Sequence, residues 1–202
     1  MSEDPHIDDE SATQPKKRTG GRSARVRAQV LKAALEELVD CGYSGFKMGR
    51  VATRAGVHET TVYRRWPTKE QLVTDACMDL ADEHLPVPDT GDLETDLRIV
   101  LSNIVKLMSS PEGRHLVFLS MSTRTIPEFE EVGPDFWRTR LSIGQQVFDR
   151  AVARGAWPAN YDKELVFAEL LGPLIATYFL LNKEIDEAYI DERILQIMRL
   201  AD

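Results

Sequence analysis

The stretch from Lys47 to Leu72, KMGRVATRAGVHETTVYRRWPTKEQL, is the most informative part of this 202-residue sequence. From Met48 to Arg54 its apolar residues recur at the three-to-four-residue spacing of a short helix. Gly56 then supplies the positive φ that a tight turn at a helix exit needs. A second short helix, roughly Glu59 to Arg65, buries Val62 and leaves hydroxyls and guanidiniums on its outer faces. Two short helices in this arrangement predict a helix-turn-helix that enters a DNA major groove.

Two further helices are predicted to flank this pair. Ser23 is expected to cap a first helix from about Ala24 to Cys41, and Gly42 ends it. Thr68 is expected to cap a fourth helix, because it follows a proline that ends the preceding one. Residues 22–84 are therefore predicted to form a three-helix DNA-binding domain with a linking fourth helix.

The order of motifs in this region also matches a known family. The matching residues are Gly42-Tyr43, Val51-Ala52, Ala55-Gly56-Val57, Thr61-Val62-Tyr63-Arg64-Arg65-Trp66 and Thr68-Lys69-Glu70-Gln71-Leu72. Together they resemble the DNA-binding signature of TetR-family transcriptional regulators, specifically from about Arg22 to Ala81 and more loosely over the rest of the chain. His58 departs from the pattern, because the family most often has Ser as the N-cap of the recognition helix.

The resemblance implies two kinds of DNA contact. Three residues match base-facing positions of the recognition helix: Glu59, Thr60 and Arg64. Three more match phosphate-contacting positions, and two nearby arginines are added to them: Thr61, Tyr63, Lys69, Arg50 and Arg65. Phosphate contacts fix the register of a protein on DNA, whereas base contacts specify the sequence.

Residues 1–21 lack helical periodicity and are rich in charge, Ser, Thr and Pro, so we expect a disordered N-terminal arm. The last part of this arm, from Lys16 to Arg22, is basic. The basic segment either lies along DNA, with Arg22 as the side chain that enters the minor groove, or is a solvated tail.

Charge is distributed unevenly along the chain. Residues 1–15 carry five acids and no Lys or Arg, residues 16–69 have a net charge of +9, and residues 70–202 have a net charge of −12, which together give −8. A basic N-terminal domain on an acidic body favours docking of the basic surface on phosphate. A surface that is charged only for solvation would not separate the two signs in this way.

After a break from Leu85 to Gly91, the sequence pattern is helical to the C-terminus. Five helices are predicted: Leu93–Ser109, Glu112–Met121 after Pro111, about Pro134–Arg154, Asp162–Asn182 and Asp186–Leu200. Because no alternating strand pattern occurs, the chain is predicted to be all-α. An N-terminal helix-turn-helix domain would be followed by a C-terminal effector-binding and dimerisation domain over residues 92–202.

The last two helices are too apolar to lie on a free surface. Leu170 to Leu181 is hydrophobic nearly all round, and Ile190 to Met198 adds a second apolar stripe. The resemblance implies that these helices pair with their copies in a twofold four-helix bundle. Such a homodimer would place two DNA-binding domains ~34 to 36 Å apart and require a near-palindromic operator. The alternative is packing within a single chain.

Between Leu93 and Arg154, polar residues are interspersed among bulky apolar ones. This composition is typical of a cavity that binds an effector, but it also occurs at the edge of an ordinary hydrophobic core. The candidate effector-binding residues are His115, Phe118, Met121, Ser122, Trp137, Arg138 and Leu141. In the family that the sequence resembles, a small molecule bound here shifts the fourth helix and releases DNA.

Other classes of protein are disfavoured by what the sequence lacks. It has no HExxH, GxSxG or CxxC motif, and its four histidines are scattered, which argues against an enzyme, a metal site or a cofactor. Cys41 and Cys77 lack the spacing of a disulfide framework and are expected to be buried thiols. The longest apolar run, Leu170 to Leu181, is shorter than the ~20 residues of a transmembrane helix. No signal peptide is recognisable, so a cytoplasmic protein is expected.

The predicted function is therefore sequence-specific regulation of transcription, most simply by a repressor that a small-molecule effector releases from its operator. Two alternatives are retained. One is a DNA-binding dimer that responds to a partner protein or to its own concentration. The other is an all-helical enzyme.

Overall fold

The structure, a computed structural model, describes residues 21–121 and 133–200, except for the side chains of residues 120, 133–135 and 137. Within these ranges the secondary structure is helical with no strand, which confirms the all-α prediction. The predicted N-terminal arm before Gly21 and the predicted effector residue Ser122 lie outside the described residues.

The helices are numbered in chain order. They are α1 (Gly21–Gly45), α2 (Met48–Arg54), α3 (Glu59–Arg65), α4 (Lys69–His84), α5 (Leu93–Ser109), α6 (Pro111–Met121), α7 (Gly133–Ala153), α8 (Lys163–Ile175) with a π-helical turn (Ala176–Leu180) directly after it, and α9 (Glu187–Met198). Helices α2, α3 and α5 have the predicted bounds. Helix α4 begins directly after its predicted cap, and α6, α7 and α9 differ from their predicted bounds by one or two residues at an end. Helix α8 itself ends at Ile175, and the π-helical turn continues it to Leu180, two residues before the predicted end at Asn182.

Helices α1 to α4 form the N-terminal domain around one apolar core. Helix α1 contributes Val30, Leu31 and Leu38, while α2 and α3 contribute Val51 and Val62, all of them almost fully buried. The burial of Val62 is as the sequence predicts. The burial of all these side chains fixes the relative positions of the three helices.

The link from α2 through α3 to α4 depends on one glycine and one tryptophan. Gly56, in the turn between α2 and α3, has a φ of 65°, a left-handed conformation that favours glycine. Trp66 follows α3, is buried, and donates its indole N–H to Asp75 of α4 at 2.9 Å. The indole therefore packs against α4.

The start of α1 differs from the prediction. The helix already includes Gly21, the first described residue, so Ser23 lies inside it and is not its N-cap. The Ser23 hydroxyl instead accepts a hydrogen bond from Arg65 at 3.1 Å. A partner 42 residues away, which the local sequence does not reveal, thus engages the hydroxyl. At the other end, Gly42 has non-helical backbone angles, φ 62° and ψ 175°, where the sequence predicts the helix to end.

Helices α5, α7, α8 and α9 enclose the core of the C-terminal domain. Its centre contains Leu101, Phe148, Leu174 and Ile194, each at most 1% exposed. The winding changes from α to π just after Pro173, which lacks the N–H that an α-helix interior uses. The Tyr189 hydroxyl of α9 binds the Pro173 carbonyl at 3.3 Å and so ties α9 to this irregular segment.

The segment between α4 and α5 is tied to α7 by two arginines. Arg150 donates to the Pro88 carbonyl at 2.8 Å, and Arg154 pairs with Asp89 at 3.1 Å. The carboxylate of Asp96, fully buried in α5, accepts hydrogen bonds from the backbone and side chain of Thr90. The end of α4 is therefore anchored to the C-terminal domain.

Both cysteines are free, with Cys41 half-buried and Cys77 buried. Burial raises the pKa of the Cys77 thiol to about 12, so this thiol stays protonated and unreactive at neutral pH. In the part of the chain that the structure describes, His, Cys, Asp and Glu form no group able to hold a metal ion. None of the described helices is both long and apolar enough to cross a membrane.

Candidate nucleic-acid interface and internal cavity

Helix α3 has one buried face and one polar, exposed face. Val62 points into the core and is 0% exposed. The predicted base-facing residues Glu59, Thr60 and Arg64 are exposed. Tyr63, a predicted phosphate contact, is 47% exposed, which is unusual for a large aromatic side chain without a partner surface.

Four of the predicted DNA-binding residues line one cleft between the start of α1 and α3. They are Arg22, Thr61, Arg64 and Arg65. Arg22 lies exposed on the first turn of α1. Among the described residues, neither Arg22 nor Arg64 has an ion-pair partner, so both guanidiniums are available to an anionic ligand. DNA phosphate or a guanine edge are ligands of this kind.

Two of the predicted phosphate contacts, Arg65 and Arg50, already form hydrogen bonds or ion pairs within the protein. Arg65 donates to the Ser23 carbonyl at 3.3 Å and its hydroxyl at 3.1 Å. Arg50 Nε lies 3.2 Å from Oε1 of Glu37, whose side chain is fully buried in α1. Arg50 therefore neutralises a buried carboxylate, whether or not it also contacts DNA.

The sequence analysis did not predict that Arg54 pairs with acidic residues of α1. Its guanidinium lies 3.4 Å from Glu37 and 2.7 Å from Asp40, so it joins α2 to α1. The available signal was the cluster of acids at positions 36, 37 and 40 inside an otherwise basic region. Acids in a phosphate-binding domain need nearby bases to balance them.

The start of α4 is fixed by a group of contacts around Tyr43. Lys69, a predicted phosphate contact, places its ammonium 4.0 Å from the centre of the Tyr43 ring. The Tyr43 hydroxyl donates to Glu70 at 2.5 Å. Burial alone would raise the pKa of the Glu70 carboxyl, but hydrogen bonds from Tyr43, its own backbone N–H and Thr68 outweigh burial, and the pKa lies below its ordinary value.

The N-cap of α3 differs in chemistry from the family pattern. His58 occupies the N-cap and makes no side-chain capping hydrogen bond. Glu59 instead turns towards α2, where its Oε1 lies 2.5 Å from the position that a Cβ at Gly49 would occupy. The absence of a side chain at Gly49 therefore makes room for the Glu59 carboxylate.

A cavity of about 110 Å³ lies where the end of α4 meets α5, α6, α7 and α8. Its apolar lining includes Leu85, Ile104, Leu116, Phe167 and Leu171. Arg140 of α7 is the charged member of the described lining. Its side chain is 10% exposed and pairs at 2.7 Å with Asp82, whose side chain is 61% exposed on the last turns of α4.

The predicted effector residues are only partly brought together at this cavity. Leu141 lines it, whereas His115, Phe118, Met121 and Arg138 do not. Phe118 and Met121 are 64% and 55% exposed, and the His115 ring nitrogen bonds the Pro111 carbonyl one helical turn away. The side chain of Trp137 is not described. Sequence reasoning missed Arg140, because nothing local distinguishes it from the solvent-facing arginines of α7.

Family models match both halves of the chain. The family model "Bacterial regulatory proteins, tetR family" matches residues 30–76, and "Tetracyclin repressor-like, C-terminal domain" matches residues 87–197. The chain belongs to the TetR family. It is therefore a DNA-binding transcriptional regulator and not an enzyme, as the sequence predicts.

Individual TetR-family relatives agree with this assignment. The regulator AqdR of Rhodococcus erythropolis is 31% identical over 157 residues, which cover 78% of this chain and 75% of AqdR. The DNA-binding transcriptional repressor TetR of Mycobacteroides abscessus is 29% identical over 182 residues, covering 85% of this chain and 93% of that protein. The crystal structure of the TetR-family regulator SCO0332 superposes with a TM-score of 0.73 at 26% identity, over 87% of this chain and 97% of that one.

Proposed function

We propose that this TetR-family regulator is a homodimeric repressor that binds a near-palindromic operator in the cytoplasm and leaves it when a small molecule occupies the C-terminal domain. The observation that carries the proposal is the polar, exposed face of α3, where Arg64 has no ion-pair partner among the described residues. Arg64 lies one helical turn after the exposed Thr60 on this face, and its guanidinium can donate only to an acceptor. A DNA groove supplies the acceptors that this arginine lacks.

The proposed contacts of the N-terminal domain follow from exposure and pairing. Thr60 and Arg64 face the bases, and Glu59 turns to a base from its position beside Gly49 of α2. Thr61, Tyr63 and Lys69 contact phosphate, and Arg22 lies at the edge of the same cleft. Arg50 and Arg65 contribute positive charge from positions fixed by Glu37 and Ser23. Because these two are already held by the protein, they lose little side-chain freedom on binding DNA.

Exposed leucines at the C-terminal end of the chain support the dimer. Five leucines on or beside α8 and α9 are more than half exposed: Leu165, Leu180, Leu181, Leu195 and Leu200. A soluble monomer rarely presents so many large apolar side chains on neighbouring elements. Pairing of these elements with their twofold copies would cover them and set the two α3 helices ~34 to 36 Å apart.

The cavity favours effector control over the alternative of a ligand-independent dimer. It is bounded by Ala81 and Leu85 at the end of α4, the helix that follows the DNA-binding pair. A ligand that fills it therefore contacts the element whose position sets the separation of the two domains. Release requires only that the ligand bind more tightly to the separation that does not fit DNA.

Selection of bound duplexes from a randomised DNA pool tests the proposal directly. The purified protein is expected to enrich a near-palindrome, and the affinity for that sequence should fall steeply with salt as counterions are released from phosphate. Failure to enrich any sequence over random duplex, with protein that is folded by circular dichroism, would contradict sequence-specific binding. A selected site with a single unrepeated half would contradict the dimer.

A further inference from the structure

We propose that the cavity takes a small apolar molecule that carries one carboxylate, and that this carboxylate replaces Asp82 as the ion-pair partner of Arg140. The inference rests on the proposed effector-controlled function and adds the chemical class of the ligand and the contact through which it acts on α4. Two observations support it: the apolar lining of the cavity, and the much deeper burial of Arg140 than of Asp82.

The size and lining of the cavity define the apolar part of the ligand. Its volume is about 110 Å³, and its described walls are aliphatic and aromatic except at Arg140. A cavity of ~150 Å³ with a similar lining stays dry and binds benzene. The cavity therefore suits a single ring or a short alkyl chain, and such a ligand needs no further polar group apart from one that meets Arg140.

Arg140 and Asp82 differ in how freely they can leave their pair. The Arg140 side chain is 10% exposed and is held in the cavity wall, whereas the Asp82 side chain is 61% exposed. Asp82 can move into water at little cost in solvation. Arg140 cannot follow it, and a buried guanidinium without an anionic partner is strongly unfavourable. A ligand carboxylate that enters the cavity supplies that partner.

Burial also lowers the pKa of Arg140, against the opposing effect of Asp82, in keeping with a positive charge that is poorly solvated where it lies. An arginine nonetheless remains protonated in proteins. The cost is therefore relieved by a paired anion and not by loss of a proton. A planar carboxylate matches the guanidinium fork in two parallel hydrogen bonds, of which Asp82 makes one at 2.7 Å.

The exchange of partners also changes how α4 is held. Asp82 belongs to α4 and Arg140 to α7, so their ion pair fastens the DNA-linked helix to the C-terminal domain. When a ligand occupies Arg140, this fastening is lost. The same carboxylate that provides affinity thus biases the position of α4, as an effector must do.

The ligand class is tested by titration calorimetry on the full chain without DNA. Hexanoate, octanoate and benzoate are compared with their primary amides, which have nearly the same shape and no charge. We expect at least one acid to bind and its amide to bind about thirtyfold more weakly or worse, as is usual when one member of a buried charge pair is removed.

Substitutions test whether Arg140 is the residue that contacts the ligand carboxylate. Arg140→Met should abolish the preference for acid over amide, and Arg140→Lys should restore part of it. Asp82→Asn should bind the acid several-fold more tightly, because it no longer competes as a charge, yet the acid should release operator DNA less effectively from it. Arg98→Met is the matched control, since Arg98 forms its ion pairs with Glu94 and Asp191 away from the cavity.

Equal binding of acids and amides would overturn the proposal, and so would failure of every acid and amide to bind. Loss of acid binding in the Arg98 variant would also overturn it. Each of these results leaves operator selection by the same protein intact, so they are distinguishable from failure of the proposed regulatory function.

Discussion

Arg64 of α3 and Lys69 at the start of α4 are both basic, yet their surroundings support different proposed roles. Arg64 is exposed in a cleft with no ion-pair partner among the described residues, whereas Lys69 rests against the Tyr43 ring at 4.0 Å. A free guanidinium suits a base edge. An ammonium held over an aromatic ring at the start of α4 suits a phosphate at a fixed place.

Arg64→Ala is predicted to relax the sequence preference at one operator position, at a cost of ~1 to 3 kcal/mol in binding free energy. Lys69→Ala is predicted to weaken binding to all sequences and to lower the slope of log affinity against log salt by about one phosphate contact. Competition binding with operator variants measures the change in sequence preference of Arg64→Ala. A salt titration measures the change in salt dependence of Lys69→Ala. An unchanged selected motif for the arginine variant, or a changed motif for the lysine variant, would contradict the assignment.

The contact between Tyr43 and Glu70 predicts a pH dependence. Because hydrogen bonds lower the pKa of Glu70 in the folded state, they contribute stability above the unfolded pKa, and that stability is lost as pH falls through the folded pKa. Tyr43→Phe should therefore raise the pKa of Glu70. The stability difference between wild type and variant should be largest at neutral pH and shrink on acidification.

The pKa of Glu70 is measured by NMR titration of its carboxyl carbon, and stability by urea unfolding at neutral and acidic pH. Thr95→Val is a suitable control, because the Thr95 hydroxyl bonds Asp92 in a different part of the molecule and should leave Glu70 unchanged. A pKa of Glu70 that is the same in wild type and Tyr43→Phe would refute the role given to the hydroxyl.

At the scale of elements, most of the helices follow from local pattern. The break at Gly56, the cap at Thr68 and the proline at position 67 specify α2, α3 and the start of α4, and the structure confirms these bounds. The effects that sequence reasoning missed are between residues distant in the chain. Arg140 and Asp82 are 58 residues apart, and Ser23 and Arg65 are 42 apart, so only the packing of helices brings them together.

The packing of α7 on α8 requires a residue without a side chain. A Cβ added at Gly144 would lie 2.0 Å from Cζ of Phe167, so Gly144→Ala must displace the ring. We predict a loss of ~1 to 3 kcal/mol in the free energy of unfolding, the usual cost of overpacking a core. Urea unfolding at one protein concentration measures it. Gly21→Ala, where no atom of the described residues lies within 4 Å, should change stability little. Equal stability of both variants would contradict the packing argument.

At the scale of the whole molecule, the proposed regulation depends on a dimer that joins two DNA-binding domains. Leu195 of α9 is 53% exposed, and Leu195→Arg would place two guanidiniums across a twofold interface. The variant is predicted to sediment as a monomer. It is also predicted to bind the operator about 10²- to 10⁴-fold more weakly, because binding at one half-site no longer strengthens binding at the other. Sedimentation and operator binding check the two parts.

Gln146→Arg is the matched control for this variant, because it adds the same charge at an exposed position of α7. It should remain dimeric with nearly unchanged operator affinity. A Leu195 variant that stays dimeric would mean that the exposed leucines of α8 and α9 serve another contact.

The central claim is that two copies of α3 bind one operator, and hydroxyl-radical footprinting of the selected duplex tests it most directly. We predict two protected half-sites related by a twofold axis, with centres about one helical turn apart, ~34 to 36 Å. Lys69→Ala, which removes a proposed phosphate contact, should weaken protection symmetrically at both. A single protected patch, or two patches that respond differently to this substitution, would contradict the account.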